Sequence, residues 1–232
     1  MNRLLALAAL LLTFAACNPR LSNGLRVHDL QKDVELVTSK GTIIIRLSDS
    51  TPLHRDNFIR LVQKKYFDSI LFHRVINQFM VQAGDPDSKQ AKAGAELGNG
   101  GPGYTVPAEF RASLFHKKGV IAAARTGDDV NPLKASSGSQ FYLVQGKVFT
   151  EAGLDSVENM RLRRKLPAAH REVYKTLGGT PHLDLNYTVF GEAVSGLSVI
   201  DSIAAVPTSG RMGGDRPLTD VRIIRARLVK RK

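Results

Sequence analysis

The residues best suited to chemistry in this chain fall in one stretch, Phe72-His73-Arg74-Val75-Ile76-Asn77-Gln78-Phe79-Met80-Val81-Gln82-Ala83-Gly84-Asp85. If Leu71 to Val75 is a strand, its period of two puts Phe72 and Arg74 on one face. Phe79 and Met80 lie just past a turn at Asn77-Gln78, so they can fold back beside that face. The product is a fixed cation with several donors in a rigid fork, set among an aromatic ring, a thioether and the carboxamide of Gln82. Set among these groups, the arginine reads as part of a site. The plainer reading is a surface arginine in a salt bridge.

Other chemical signals are weaker. Gly98-Asn99-Gly100-Gly101-Pro102-Gly103 matches the G-x-G-x-x-G spacing, but no strand–turn–helix surrounds it and Pro102 stands where a helix would begin. Asp85-Pro86-Asp87 reads as a polar turn, and the six histidines show no metal-ligand spacing. His73 falls on the strand face opposite Arg74, where a structural role is expected. No nucleophile-elbow motif accompanies the serines. The net charge of +12 invites a nucleic-acid reading. The basic residues are dispersed, however, with short clusters only at Arg161 to Lys165 and Arg225 to Lys232, so a solvated surface and attraction to anionic lipid fit better.

The elements that must position these residues are mostly short strands. Val34 to Thr38 and Thr42 to Leu47 form a hairpin through Ser39-Lys40-Gly41. Thr51-Pro52 opens a helix, with Phe58, Leu61, Val62 and Tyr66 on its buried face. Further strands are expected at Leu71 to Val75, Phe79 to Ala83, Gly119 to Ala124, Gln140 to Val144 and Tyr187 to Gly191. A helix over Gly196 to Ala204 follows, with Leu197, Ile200 and Ile203 on one face. In the last strand, Val221 to Val229, the apolar phase slips after 223, which predicts a bulge. Many short strands with two framework helices argue for a closed antiparallel barrel. Residues 147–179 break the rhythm and read as a helical insertion too small for a core of its own. Its predicted apolar faces are Val157 with Met160, then Ala169, Val173 and Leu177, ended by Gly178-Gly179.

The run Phe72 to Asp85 resembles the signature of the cyclophilin family of peptidyl-prolyl cis/trans isomerases. Gly119 to Thr126 is similar to the family's second active-site strand. Ser137-Gly138-Ser139-Gln140-Phe141-Tyr142 and Leu183 to Gly191 resemble its third and fourth motifs, in the same order. The resemblance covers about Val34 to Leu228. It implies a mainly β fold: a closed eight-stranded antiparallel barrel capped by two helices, here with the helical insertion. Arg74 matches the catalytic arginine. Phe79, Met80 and Leu183 match the pocket for the substrate proline ring, and Tyr142 stands there in place of a common Phe. Gln82 and Gln140 match groups that hold substrate backbone. Ala124, in the Gly119 to Thr126 motif, matches a substrate-contacting position. Arg125 stands where the family presents a backbone carbonyl and amide, so its side chain matters less. Tyr187 replaces a His of some members. His182 stands where some members carry a Trp that helps bind cyclosporin. Leu185 replaces an expected Gly. The family implies no metal and no cofactor, proline-containing polypeptides as partners, no nucleic acid, and a monomer. A binding module or holdase that keeps the proline pocket without turnover is the alternative; retention of Arg74 favours the enzyme.

The first sixteen residues stand apart. Asn2-Arg3 precede an apolar run, Leu4 to Phe14, then Ala15-Ala16 and the only cysteine, Cys17. The run is too short to span a membrane and reads as a secretory signal. The pattern resembles a bacterial lipoprotein signal, with Phe14 where Leu is more usual, and implies lipidation of Cys17. Lone-cysteine arithmetic agrees, since no disulfide framework is possible. The expected organisation is therefore a signal peptide over 1–16, a lipid-anchored tether over 17–31 and an isomerase domain over 32–232. The expected location is the cell envelope, periplasm-facing.

Overall fold

The computed structural model describes residues 24–92 and 94–231. Cys17, the leader and the tether up to residue 23 lie outside the described residues. The first hairpin is β1 (Lys32–Thr38) and β2 (Gly41–Leu47), followed by helix α1 (Pro52–Gln63). Then come β3 (Arg74–Ile76), β4 (Met80–Ala83), a short β5 (Thr105–Val106), β6 (Val120–Ala123), a short β7 (Ser136–Ser137) and β8 (Phe141–Val144). Helices α2 (Glu151–Val157) and α3 (Ala168–Thr176) precede β9 (Val189–Ser195), α4 (Leu197–Ala204) and β10 (Ile223–Lys230).

Eight strands form one antiparallel sheet in the order β10-β1-β2-β9-β6-β8-β4-β3. This corrects the expected closed barrel. The sheet curls into a half-barrel, and its edge strands β3 and β10 share no ladder. The chain before β3 is irregular, so the seam is joined by an isolated bridge between Leu71 and Arg222 and a few backbone bonds, such as Ser69 N–H to Ile223 O and Phe72 N–H to Val221 O, both 2.8 Å. The predicted bulge is present: Val37 pairs with Arg225 and Thr38 with Ile223. Ile224 is the extra residue, and its side chain is pushed out to 55% exposure.

Strand alternation divides this sheet into two working faces. Val75, Val81, Ala83, Ile121, Ala123, Phe141 and Leu143 point into the main core, against Phe58, Leu61 and Val62 of α1 and Ile200 and Ile203 of α4. Phe141 meets Phe58 and Phe67 edge-on, at 5.3 and 5.4 Å between ring centres. Helix α1 begins at Thr51-Pro52, but the Thr51 side chain does not cap it. The carboxylate of Glu109 does, accepting from the backbone N–H of Leu53 and His54 at 3.2 and 3.0 Å. It also meets His54 Nδ1 at 2.7 Å. A carboxylate at a helix N-terminus satisfies orphan donors and complements the dipole.

Between β8 and β9 the chain forms α2, a π turn (Glu158–Leu162) and α3. They pack around Leu154, Leu166 and Tyr174. The predicted apolar faces are wrong here. Met160 is 66% and Leu177 40% exposed, while Tyr174 is fully buried. Burial follows the ring of Tyr174, met edge-on by Phe115 and Phe149, rather than the aliphatic spacing. The segment leaves and returns through a narrow neck: Lys147 and Gly179 exchange backbone bonds of 3.3 and 3.0 Å. Gly179 has φ +155°, and a Cβ there would lie 2.2 Å from His116 O, so only glycine fits.

Candidate active site

The other face of the sheet builds the site. Arg74 on β3 pairs with Gln82 on β4, Gln82 pairs with Tyr142 on β8, and Tyr142 pairs with Ala122 on β6. Opposed residues share a face, so this row runs across four neighbouring strands. The rest of this face, reached two positions at a time along each strand, is apolar. Met80, Val120, Ala122, Ala124, Tyr142, Val144 and Val189 form a separate buried cluster, with Phe79, Leu183 and Tyr187 packed against it. Phe79, Met80, Leu183 and Tyr142 are thus brought together as one apolar pocket wall and floor. Phe72 is not part of it. It lies in the main core, 1% exposed, because β3 starts only at Arg74 and Leu71 makes an isolated bridge.

Arg74 is held loosely. The only ion pair or hydrogen bond of its side chain among the described residues is a contact from Nε to Asp215, at 3.6 Å, and that side chain is 43% exposed. Neither terminal nitrogen makes a hydrogen bond or ion pair among the described residues. Gln82 and Gln140 are linked, Nε2 to Oε1, at 3.0 Å. Gln140 in turn donates to the carbonyls of Gly98 and Gly100, both at 2.8 Å. The glycine-rich loop therefore serves as an acceptor shelf that fixes a carboxamide. Asp85 supports the shelf by accepting from the N–H groups of Asp87, Gly98 and Gly100. Gln82, Gln140, Ala124 and Arg125 line a cleft of about 490 Å³ with this loop.

Arg125 does more than expected. Its side chain is 5% exposed and lies 4.5 Å over the ring of Tyr187. It donates to Asn186 O at 2.9 Å and to Asp128 at 2.6 Å. The guanidinium thus clamps the Tyr187 loop, while the backbone N–H and C=O of Arg125 keep no protein partner among the described residues. His182 stacks on Phe79 at 5.5 Å. Burial, then the nearby charge of Arg161, pushes its pKa down to about 4, so it is neutral at physiological pH. His73 is buried with both ring nitrogens unpartnered among the described residues, and burial lowers its pKa to about 4 as well.

Sequence reasoning missed the residues beneath the pocket. The Tyr142 hydroxyl meets His116 Nε2 at 3.0 Å. His116, fully buried, meets Asp184 through Nδ1 at 3.0 Å and donates its backbone N–H to the same carboxylate. Tyr174 donates its hydroxyl to Asp184 at 2.8 and 2.9 Å. Burial raises the pKa of the Tyr142 hydroxyl well above the ordinary tyrosine value, so it stays a neutral donor. This polar chain gives the family's Phe-to-Tyr exchange a reason: the added hydroxyl has a buried partner. His116 stands between Leu114-Phe115 and Lys117-Lys118, and nothing in that local sequence marks it.

The fold and site together present a half-barrel face with an apolar cluster beside an exposed guanidinium. Residues 33–228 match the family described as Cyclophilin type peptidyl-prolyl cis-trans isomerase/CLD. The Aspergillus oryzae peptidyl-prolyl cis-trans isomerase-like 1 is 33% identical over 203 residues, covering 85% of this chain and 96% of its own. A cyclophilin-type peptidyl-prolyl cis-trans isomerase of Cryptosporidium parvum superposes with a TM-score of 0.61 at 19% identity, covering 87% of this chain and 99% of its own. A second crystal structure of that protein, in the presence of the dipeptide Ala-Pro, gives a TM-score of 0.60 at 18% identity, with 86% and 99% covered. The chain belongs to the cyclophilin-type peptidyl-prolyl cis-trans isomerases, and its activity is rotation about X–Pro bonds.

Proposed function

We propose that Arg74 is the catalytic residue and that the pocket of Phe79, Met80, Tyr142 and Leu183 holds the substrate proline ring. Amide resonance sets a barrier of about 18–20 kcal/mol against rotation. No bond breaks, so the enzyme has only to favour the twisted amide over both planar forms. On twisting, the amide nitrogen loses conjugation and gains a lone pair. A terminal nitrogen of Arg74 donates to that lone pair, while Gln82 and Gln140 hold the flanking backbone. Tyr187 and His182 wall the pocket, and the free backbone groups of Ala124's neighbour, Arg125, pair with substrate main chain. The observation that carries this reading is the pair of unengaged Arg74 nitrogens beside an apolar floor. Arg74→Ala is expected to slow NMR-detected cis/trans exchange of an Ala-Pro peptide by about 10²- to 10³-fold, with an unchanged melting curve. A folded variant with undiminished exchange would falsify the assignment.

The substrates we propose are proline-containing polypeptides exported from the cytoplasm, met by a monomer tethered through a lipid on Cys17 in the cell envelope. The signal-like run before Cys17 supports this reading. Cys17→Ser is expected to move the protein from the membrane fraction to the soluble fraction and to abolish labelling by a palmitate analogue. Labelling that survives the substitution would refute the anchor.

A further inference from the structure

Beside the proline pocket lies a second depression of about 230 Å³, and the insertion forms its outer wall. Phe79 and His182 are common to both, so the depression continues the apolar site rather than standing apart from it. Its remaining walls include Phe149 and Val157 from the insertion and two cations, Lys147 and Arg161. No carboxylate lines it.

The charges of the insertion are sorted. Its acids pair with other bases of the insertion: Glu151, Asp155 and Glu158 all with Arg171, Glu158 also with Lys165, and Glu172 with Lys175. Lys147 and Arg161 make no ion pair among the described residues; the Lys147 ammonium lies only over the ring of Phe149, at 5.4 Å. Two unneutralised cations at the mouth of a partly apolar depression create a positive potential with low-dielectric walls, which focuses it. The depressed pKa of His182 reflects this field in part, since both Arg161 and Lys147 oppose its protonation.

We propose that this depression is a substrate subsite built by the insertion, and that it takes the side chain of an acidic residue, Asp or Glu, within two positions of the proline. The inference rests on the proline ring occupying the Phe79–Met80 pocket. The acidic side chain lays its methylenes on Phe149 and Val157 and sets its carboxylate between Lys147 and Arg161. The enzyme thus selects X–Pro bonds in acidic contexts, and Lys147 and Arg161 determine specificity without touching the rotating amide.

The test compares matched Ala-Pro peptides carrying Glu or Gln at each of the two positions on either side of proline, using the full chain and NMR exchange. The readout is the Glu-to-Gln ratio of kcat/KM. At one position the ratio is expected to reach about three- to tenfold, the scale of one or two partly exposed ion pairs. It should fall towards one in Arg161→Ala and invert in the doubly substituted Lys147→Glu, Arg161→Glu protein. For the unsubstituted protein it should also collapse between about 0.05 M and about 0.5 M salt, as screening requires. A ratio near one at every position, or a preference that survives charge reversal and salt, overturns the proposal. Turnover of the Gln peptides reports on the isomerase site separately. If neither peptide is turned over, the same ratio is read from affinities in a chemical-shift titration.

Discussion

Leu185 carries a measurable strain. It adopts φ +60°, a left-handed conformation that costs a residue with a Cβ about 1–2 kcal/mol, and its side chain is 38% exposed. The conformation explains why the family expects Gly at this position, which the sequence alone left without a physical account. Leu185→Gly is expected to raise the urea-derived unfolding free energy by about 1 kcal/mol, less what the freer unfolded chain takes back; a loss of stability would show that Leu185 packs productively in its loop. At this scale the sequence was informative wherever a residue stands in a contiguous motif. Arg74, Gln82 and Met80 sit within nine positions of each other, and short-range alternation places them. It was uninformative for the role of the Arg125 side chain, because that role depends on Tyr187, brought near by a loop sixty-odd positions away.

At the scale of elements, α3 is joined to the pocket floor by one hydroxyl. Tyr174 donates to both oxygens of Asp184, and Asp184 orders His116 beneath Tyr142. Tyr174→Phe keeps the ring packing and removes the donor to a buried carboxylate, so it is expected to cost about 1–3 kcal/mol of stability in a urea titration. A change below about 0.5 kcal/mol would mean that Asp184 finds another donor. The existence of helices in this segment could be read from its composition, but their buried side could not. A period of four in small aliphatics suggested Ala169, Val173 and Leu177, whereas an aromatic residue one position on from Val173 captured the core. Side-chain volume and a distant carboxylate decided the matter, and neither is visible to a local pattern. Glu109 was invisible for the same reason. A helix cap supplied from 55 residues away leaves no local signature.

At the scale of the molecule, the eight-strand sheet is continuous everywhere except between β3 and β10. Amides that bond across that seam, Ser69, Phe72 and Ile223, lack the flanking ladder bonds that protect Val81 or Leu143 in the middle of the sheet. Local opening follows bond density, so native-state hydrogen exchange is expected to be faster at the seam amides than in β4 and β8. Equal protection would mean that the curled sheet opens as one unit. Strand count and order of motifs pointed to a barrel, but closure depends on whether Leu71 to His73 can join a ladder, and their backbone geometry is set by tertiary contacts. The alternation that divides β3, β4, β8 and β6 into a core face and a site face has one more consequence. Odd-numbered residues in β4 and even-numbered ones answer to different demands: Val81 to cohesion, Met80 and Gln82 to recognition. Substrate preference in this fold can therefore drift by changes at every second position, leaving the interior that keeps the chain folded unaltered.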